Sequence, residues 1–252
     1  MSERIYQLQY YSGAMDFPSA SALPGVHYMI ATTPRSGSTN LALRMWKTGL
    51  LGAPMEYLNP AHISDLSRRL GARGPMDYWA RLQGVRTSPN GCFGFKAFVT
   101  DFRYIAQTTP DLLPHLRADR VIFLYRRNVD AQAVSLARAI QTGSWFSTVE
   151  ERQPPEYDFA AIQRSERNLV DQNAKWAKIL EATAADVMRV SFEDYMAAPA
   201  ATLSQLQAFL GIDGEAANLD LPGLEKQSDA TSRAWQERYA EEKARLPMAT
   251  AT

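Results

Sequence analysis

One segment constrains this chain more than any other. Val26-His27-Tyr28-Met29-Ile30-Ala31 is a short, continuous apolar run, the pattern of a strand buried on both faces. It passes directly into Thr32-Thr33-Pro34-Arg35-Ser36-Gly37-Ser38-Thr39. A helical pattern then runs to about Leu50, with Leu41, Met45 and Thr48 on one face and Gly49 and Gly52 near its stop. A loop that leaves a buried strand and opens a helix is a natural anion site, because the first helical N–H groups lack internal partners and point at whatever sits there. Gly37 lets the backbone approach closely. Ser36, Ser38 and Thr39 bring hydroxyls, and Arg35 brings a planar charged fork. The group such a site suits is phosphate- or sulfate-like. It is not a Walker A loop: GxxxxGK[ST] is absent, and the lysine-plus-magnesium device of an NTP hydrolase goes with it. Taken alone, the segment equally describes a capped helix start with surface serines.

Further strand patterns fall at residues 92–99, 120–125 and 187–192. Helical patterns fall at about 130–142, at 159–182, at 199–210 before Gly211, and at about 232–245. Residues 53–90 read as loop-rich, with helical pieces near 63–70 and 76–82. Residues 146–157, with Pro154-Pro155, read as a mobile loop, and 1–25 as an irregular lead-in. Strands alternating with helices predict an α/β fold, a mostly parallel sheet covered by helices on both faces. No repeat or low-complexity linker divides the chain, so the expectation is one domain over residues 1–252.

Composition excludes several classes. Hydrophobic residues are 46% of the 252, enough for a full core, so disorder is excluded for the bulk of the chain. Lys+Arg and Asp+Glu are both 27, which argues against a nucleic-acid coat while leaving room for a local basic pocket. The single cysteine, Cys92, allows no intrachain disulfide and fits a reducing compartment; inside an apolar strand it reads as a small hydrophobe. His27, His62 and His115 lack metal-ligand spacing, so no metal site is expected. No apolar run reaches the roughly 18 residues needed to span a bilayer. No signal-peptide pattern opens the chain, and the expected location is the cytoplasm.

A second site candidate follows the run at 120–125. Arg126 and Arg127 stand at a strand's carboxyl end, where open α/β sheets bind ligands. Ser135 comes nine residues after Arg126 and eight after Arg127, on the following helix, with Arg138 one turn on. A helical serine facing back toward an arginine can hold a second phosphate with it. Solvated charges at a helix start would leave the same pattern.

Together these segments resemble sulfotransferases, above all the bacterial trehalose 2-sulfotransferase family. The shared pieces are Arg35 to Thr39, then Gly52-Ala53-Pro54-Met55-Glu56-Tyr57, then Asn90-Gly91 with Gly94-Phe95-Lys96. They continue with Gln132 to Ser135 and Arg138 to Thr142, and end with Lys226-Gln227-Ser228-Asp229, Trp235 and Glu237-Arg238-Tyr239. Val190 to Tyr195, with Phe209-Leu210-Gly211, is similar to a stretch found across sulfotransferases more widely.

The resemblance covers about residues 26–245 and implies a P-loop-NTPase-like three-layer fold and 3′-phosphoadenosine 5′-phosphosulfate as donor. It implies that Arg35, Ser36, Gly37, Ser38 and Thr39 cradle the 5′-phosphosulfate. Ser135 with Arg126, or with Arg127, would hold the 3′-phosphate. Glu56 would be the catalytic base, Lys96 an active-site residue without assigned role, and the assembly a homodimer. Ala53 stands where the trehalose enzymes carry a second carboxylate, Arg127 where they have proline, and Lys226 where they have arginine.

The chemistry is in-line sulfuryl transfer to a hydroxyl, expected on a carbohydrate or glycolipid-type acceptor, with Arg35 and loop N–H groups on the developing charge. A carboxylate such as Glu56 facing an anionic donor in a closed pocket is expected to have a raised pKa. His62 is the rival base, or else an exposed loop histidine. Trp145, between the 3′-phosphate helix and the loop at 146–157, is the tryptophan best placed to touch substrate; the other four read as core or pocket wall. Two other classes fit the anion loop: a kinase-like nucleotide enzyme, which magnesium chelation would inhibit, and an inactive nucleotide-binding protein, which would bind adenosine 3′,5′-bisphosphate without transferring anything.

Overall fold

In the computed structural model, the described residues are 10–18, 24–145, 151–215 and 230–245. The sequence expectations at 146–150 and for Lys226 to Asp229 lie outside them.

The sheet is built from β1 (Val26–Thr32), β2 (Cys92–Ala97), β3 (Arg120–Tyr125) and β4 (Asp186–Ser191), in the order β2-β1-β3-β4 and parallel throughout. Met29 lies between Phe95 and Val121, and Ile30 between Lys96 and Ile122. Alternate strand residues point to opposite faces and bury in different layers. Met29, Ala31, Phe93, Phe95, Val121 and Phe123 pack with Trp79, Ile105 and Trp176 on one face. Tyr28, Ile30, Cys92, Ile122 and Leu124 pack with Leu41, Met45, Leu203 and Leu206 on the other. The result is a three-layer α/β fold with a parallel sheet between helices, as the alternation of strands and helices predicts. From β1 the chain crosses to β2 on one side, and from β3 to β4 on the other. The carboxyl ends of β1 and β3 therefore flank the crevice at which such sheets take ligands.

The helices are α1 (Ser38–Lys47), α2 (Pro60–Leu70), α3 (Pro75–Arg86), α4 (Val99–Thr108), α5 (Val129–Thr142), α6 (Phe159–Ala182), α7 (Phe192–Ala197), α8 (Pro199–Leu210) and α9 (Ala230–Ala244). Side-chain caps explain several boundaries. Asn59 accepts from Ala61 N–H at 3.0 Å just before Pro60, and Asn128 accepts from Ala131 N–H at 2.8 Å. Two expected strands end earlier than their apolar runs. The Asp101 carboxylate takes the Phe98 N–H at 2.8 Å and starts α4, so β2 stops at Ala97. Ser191 caps Asp194 N–H at 3.1 Å, so Phe192 opens α7 instead of extending β4. Residues 53–90 carry more helix than expected, because Asn59-Pro60 and Gly74-Pro75 start helices ahead of the apolar periodicity.

Candidate active site

The loop between β1 and α1 is tied down from three sides. Thr32 Oγ1 donates to the Leu124 carbonyl at 2.8 Å and so accepts from Ser36 Oγ at 2.6 Å. Trp176 Nε1 donates to the Thr32 carbonyl at 2.8 Å. Gln132 Nε2, from α5, reaches Thr33 Oγ1 at 2.9 Å and the Pro34 carbonyl at 2.6 Å. The Ser36 hydroxyl, expected to face a ligand, is thus buried and fastens the loop to the sheet. What Ser36 can still offer an anion is its backbone N–H.

Arg35 and Gly37 both have positive φ, 63° and 82°. At Gly37 this left-handed turn brings the backbone under the ring of Phe192, the first residue of α7. A Cβ there would lie 2.4 Å from Phe192 Cδ2. The same ring carries the Arg126 guanidinium 4.8 Å from its centroid. Phe192 therefore sets the spacing between the anion loop and Arg126.

Three arginines converge here. Arg35 Nε donates to Ser135 Oγ at 3.0 Å, and Arg35 Nη1 donates to the Trp145 carbonyl. The Arg35 pKa is pushed down to about 10, first by burial and then by the charges of Arg126 and Arg138. Burial lowers that of Arg126 as well, and its buried Nε finds no partner among the described residues. Desolvated cations crowded in this way gain from an anion between them.

Arg127 has a different fate. It is exposed, holds Asp194 through Nη1 at 2.6 Å and Nη2 at 2.9 Å, and its N–H donates to Glu193 at 3.0 Å. Glu193 also accepts from Asn128 N–H at 3.1 Å, so its carboxylate already occupies the start of α5. Arg138 turns to Glu151 at 2.7 Å and Ser232 at 2.9 Å.

The second half of the site joins α1 to the segment before α2. The Lys96 N–H donates to the Met55 carbonyl at 2.9 Å, laying residues 53–57 along β2. Lys96 Nζ, almost fully buried, sits 2.8 Å from Glu56 Oε1 and donates to Thr39 Oγ1 at 2.9 Å. Asn59 Nδ2 donates to Glu56 Oε2 at 3.0 Å. Burial raises the Glu56 pKa, but the charge and hydrogen bond of Lys96, with the Asn59 bond, outweigh it, and the net shift is downward. This corrects the expectation of a raised value, which considered the anionic donor and not a buried ammonium. His62 is likewise no loop residue. It lies on α2, half-buried, its ring stacked 4.0 Å from that of Tyr11, and burial lowers its pKa.

Position 53 does not face an open pocket. Ala53 is fully buried, its N–H donates to the Arg86 carbonyl at 3.3 Å, and its carbonyl accepts from the Tyr57 hydroxyl. Trp79, Trp176 and Trp235 are core, as expected, whereas Trp145 is partly exposed and meets Arg35 through its backbone. Among the described residues, no group of three or more His, Cys, Asp or Glu stands where it could hold a metal ion, and no helix is long and apolar enough to cross a membrane.

Sequence reasoning gave no role to Asn59, Phe192, Gln132 or Asp101. Only Asn59 carries a readable signal, as a capping residue before proline.

Crowded arginines at the β1–β3 crevice stand beside a carboxylate tied through Lys96 to α1, an arrangement of the kind group-transfer enzymes use. Residues 27–242 match the model of the Stf0 sulphotransferases, and the chain belongs to that family of enzymes. Among similar proteins is the trehalose 2-sulfotransferase of Mycobacterium tuberculosis (strain ATCC 35801 / TMC 107 / Erdman), 27% identical over 263 residues, covering 88% of this chain and 97% of that one. The trehalose 2-sulfotransferase of Mycolicibacterium smegmatis is 27% identical over 251 residues, covering 84% and 93%. Of solved structures, the sulfotransferase domain of the Synechococcus PCC 7002 olefin synthase matches with a TM-score of 0.46 at 17% identity, covering 93% of each chain.

Proposed function

We propose that this enzyme transfers a sulfuryl group from 3′-phosphoadenosine 5′-phosphosulfate to a carbohydrate hydroxyl, with Glu56 as general base. One observation carries the reading: the Lys96 ammonium bridges Thr39, on the helix that opens the anion loop, and Glu56, the carboxylate of the neighbouring segment. Cradle and base are one hydrogen-bonded unit, so an acceptor oxygen bound against Glu56 lies beside the loop. The names of the two similar trehalose 2-sulfotransferases support a sugar acceptor.

The donor supplies an activated sulfuryl group. In this reading the backbone N–H groups of residues 36–39 and the Arg35 fork hold its 5′ end and take up negative charge as the phosphate oxygen leaves. Ser135 and Arg126 hold the 3′-phosphate; Arg127 is already committed to Asp194. Glu56 accepts the acceptor's hydroxyl proton as the new S–O bond forms and the old one breaks. Its lowered pKa keeps it ionised at neutral pH. Lys96 orients it and adds positive charge on the side of transfer.

The test is calorimetric titration with adenosine 3′,5′-bisphosphate, with ATP as control, on the wild type and Glu56→Gln. Glu56→Gln should lower kcat by about 10²–10⁴-fold while bisphosphate affinity stays intact. Near-normal turnover would remove Glu56 as base, and absence of bisphosphate binding would remove the donor.

A further inference from the structure

The N-terminal segment 10–18 precedes the family-matched residues, yet it is clasped onto the acceptor side of the site. Arg69 holds Asp16 through two bonds, at 2.7 and 3.1 Å. The fully buried Arg86 places Nε 3.2 Å from Asp16 Oδ1 and donates from Nη2 to the Ser12 carbonyl at 2.9 Å. Phe17 N–H donates to the Val85 carbonyl at 2.9 Å, and Met15 is buried in the same core layer as Met55 and Tyr57. A surface strap needs no buried arginine. This one delivers Tyr11 to a defined place.

The Tyr11 ring stacks on His62 at 4.0 Å and an interplanar angle of 24°. Burial and the charge of Glu56 raise the pKa of its hydroxyl while the Glu56 backbone lowers it, so the phenol lies against that residue. Beside it, Asn59 binds the Glu56 carboxylate at 3.0 Å. The chain thus assembles an aromatic wall from two distant segments, next to a carboxylate and an amide. A pyranose has the matching chemistry, with a C–H face that is apolar and a rim of hydroxyls.

We propose that Tyr11 is a positioning and specificity residue of the sulfotransferase, packed by the clasp against His62 and the Glu56 segment and forming with His62 the wall that seats a glycoside acceptor. The inference rests on the function proposed above and deepens it. It also makes residues 10–18 part of the active site, although they lie outside residues 27–242.

The experiment compares wild type, Tyr11→Phe, Tyr11→Ala and Asp16→Asn. Sulfation is followed with three probes, trehalose, methyl α-glucoside and 4-nitrophenyl α-glucoside, alongside bisphosphate calorimetry. Tyr11→Phe keeps the ring and loses the hydroxyl, so kcat should fall about tenfold with KM within about twofold. Tyr11→Ala should also raise acceptor KM about tenfold. Asp16→Asn, which loosens the clasp, should shift KM in the same direction. Bisphosphate affinity should be unchanged in all four proteins. Tyr11 variants with unchanged kcat and KM overturn the proposal, as do variants that lose bisphosphate affinity in step with activity, the mark of a merely structural role. Bisphosphate binding with no sulfation of any probe by the wild type overturns the glycoside wall alone. Absence of bisphosphate binding by the wild type overturns the donor reading instead.

Discussion

Gly37→Ala should damage this protein more than any other single-methyl change in the loop. The new Cβ would sit 2.4 and 2.6 Å from two carbons of the Phe192 ring, where ordinary contact is above 3.4 Å. The ring must move by about 1 Å or more, and overpacking of that kind costs about 1–3 kcal/mol. A non-glycine residue at φ 82° adds about 1–2 kcal/mol. The sum is about 2–5 kcal/mol, and a mid-range loss lowers Tm by about 7–14 °C in a chain of this size. The two contributions separate in a double-mutant cycle. Phe192→Ala alone costs about 2 kcal/mol, since the ring is half-buried. With the ring gone the steric part of Gly37→Ala vanishes, so the double mutant should be about 1–3 kcal/mol more stable than additivity predicts. Thermal melting of the four proteins measures it. Additivity within about 0.5 kcal/mol would show that the ring does not set the loop's spacing.

Three further outcomes are expected. Arg126→Ala should weaken adenosine 3′,5′-bisphosphate about tenfold or more while Arg127→Ala changes it less than about threefold, read by calorimetry; the reverse order would exchange their roles. Lys96→Met removes the charge that lowers the Glu56 pKa and leaves burial, which raises it. The base works only when ionised, so the acid limb of kcat/KM should move to higher pH, and a limb that stays put would unlink the pair. Asp101 is buried, and burial raises its pKa to about 7 against an unfolded value of about 3.9. The unfolded state then ionises first, so wild-type stability should fall as pH rises from about 4 to 7. Asp101→Asn, still able to accept from Phe98 N–H, should melt higher than wild type at pH 8 and equally at pH 4. Equal melting at both would refute the shift.

The layer order, the strand at 26–32, the anion loop and most helix starts were legible in the sequence because they are local. An apolar run, a capping asparagine or a proline acts within a few residues of itself. The site was legible only as an inventory, and contacts between separate elements decided what each member does. Ser36 turned inward because Thr32, whose own proton goes to the Leu124 carbonyl, accepts the Ser36 hydroxyl at the β1–β3 junction. The neighbouring Arg126 and Arg127 parted, one onto Phe192 and one onto Asp194, because α7 begins just past β4 and offers a ring and a carboxylate on different sides. The direction of the Glu56 shift came from Lys96, 40 positions away in the chain. Sheet order sets β2 beside β1 and so brings that ammonium between Thr39 and Glu56. Residue types and spacings determined which chemistry was available. Only the tertiary structure determined which groups share a desolvated space, and Coulomb interactions and hydrogen bonds depend on that distance rather than on separation along the chain.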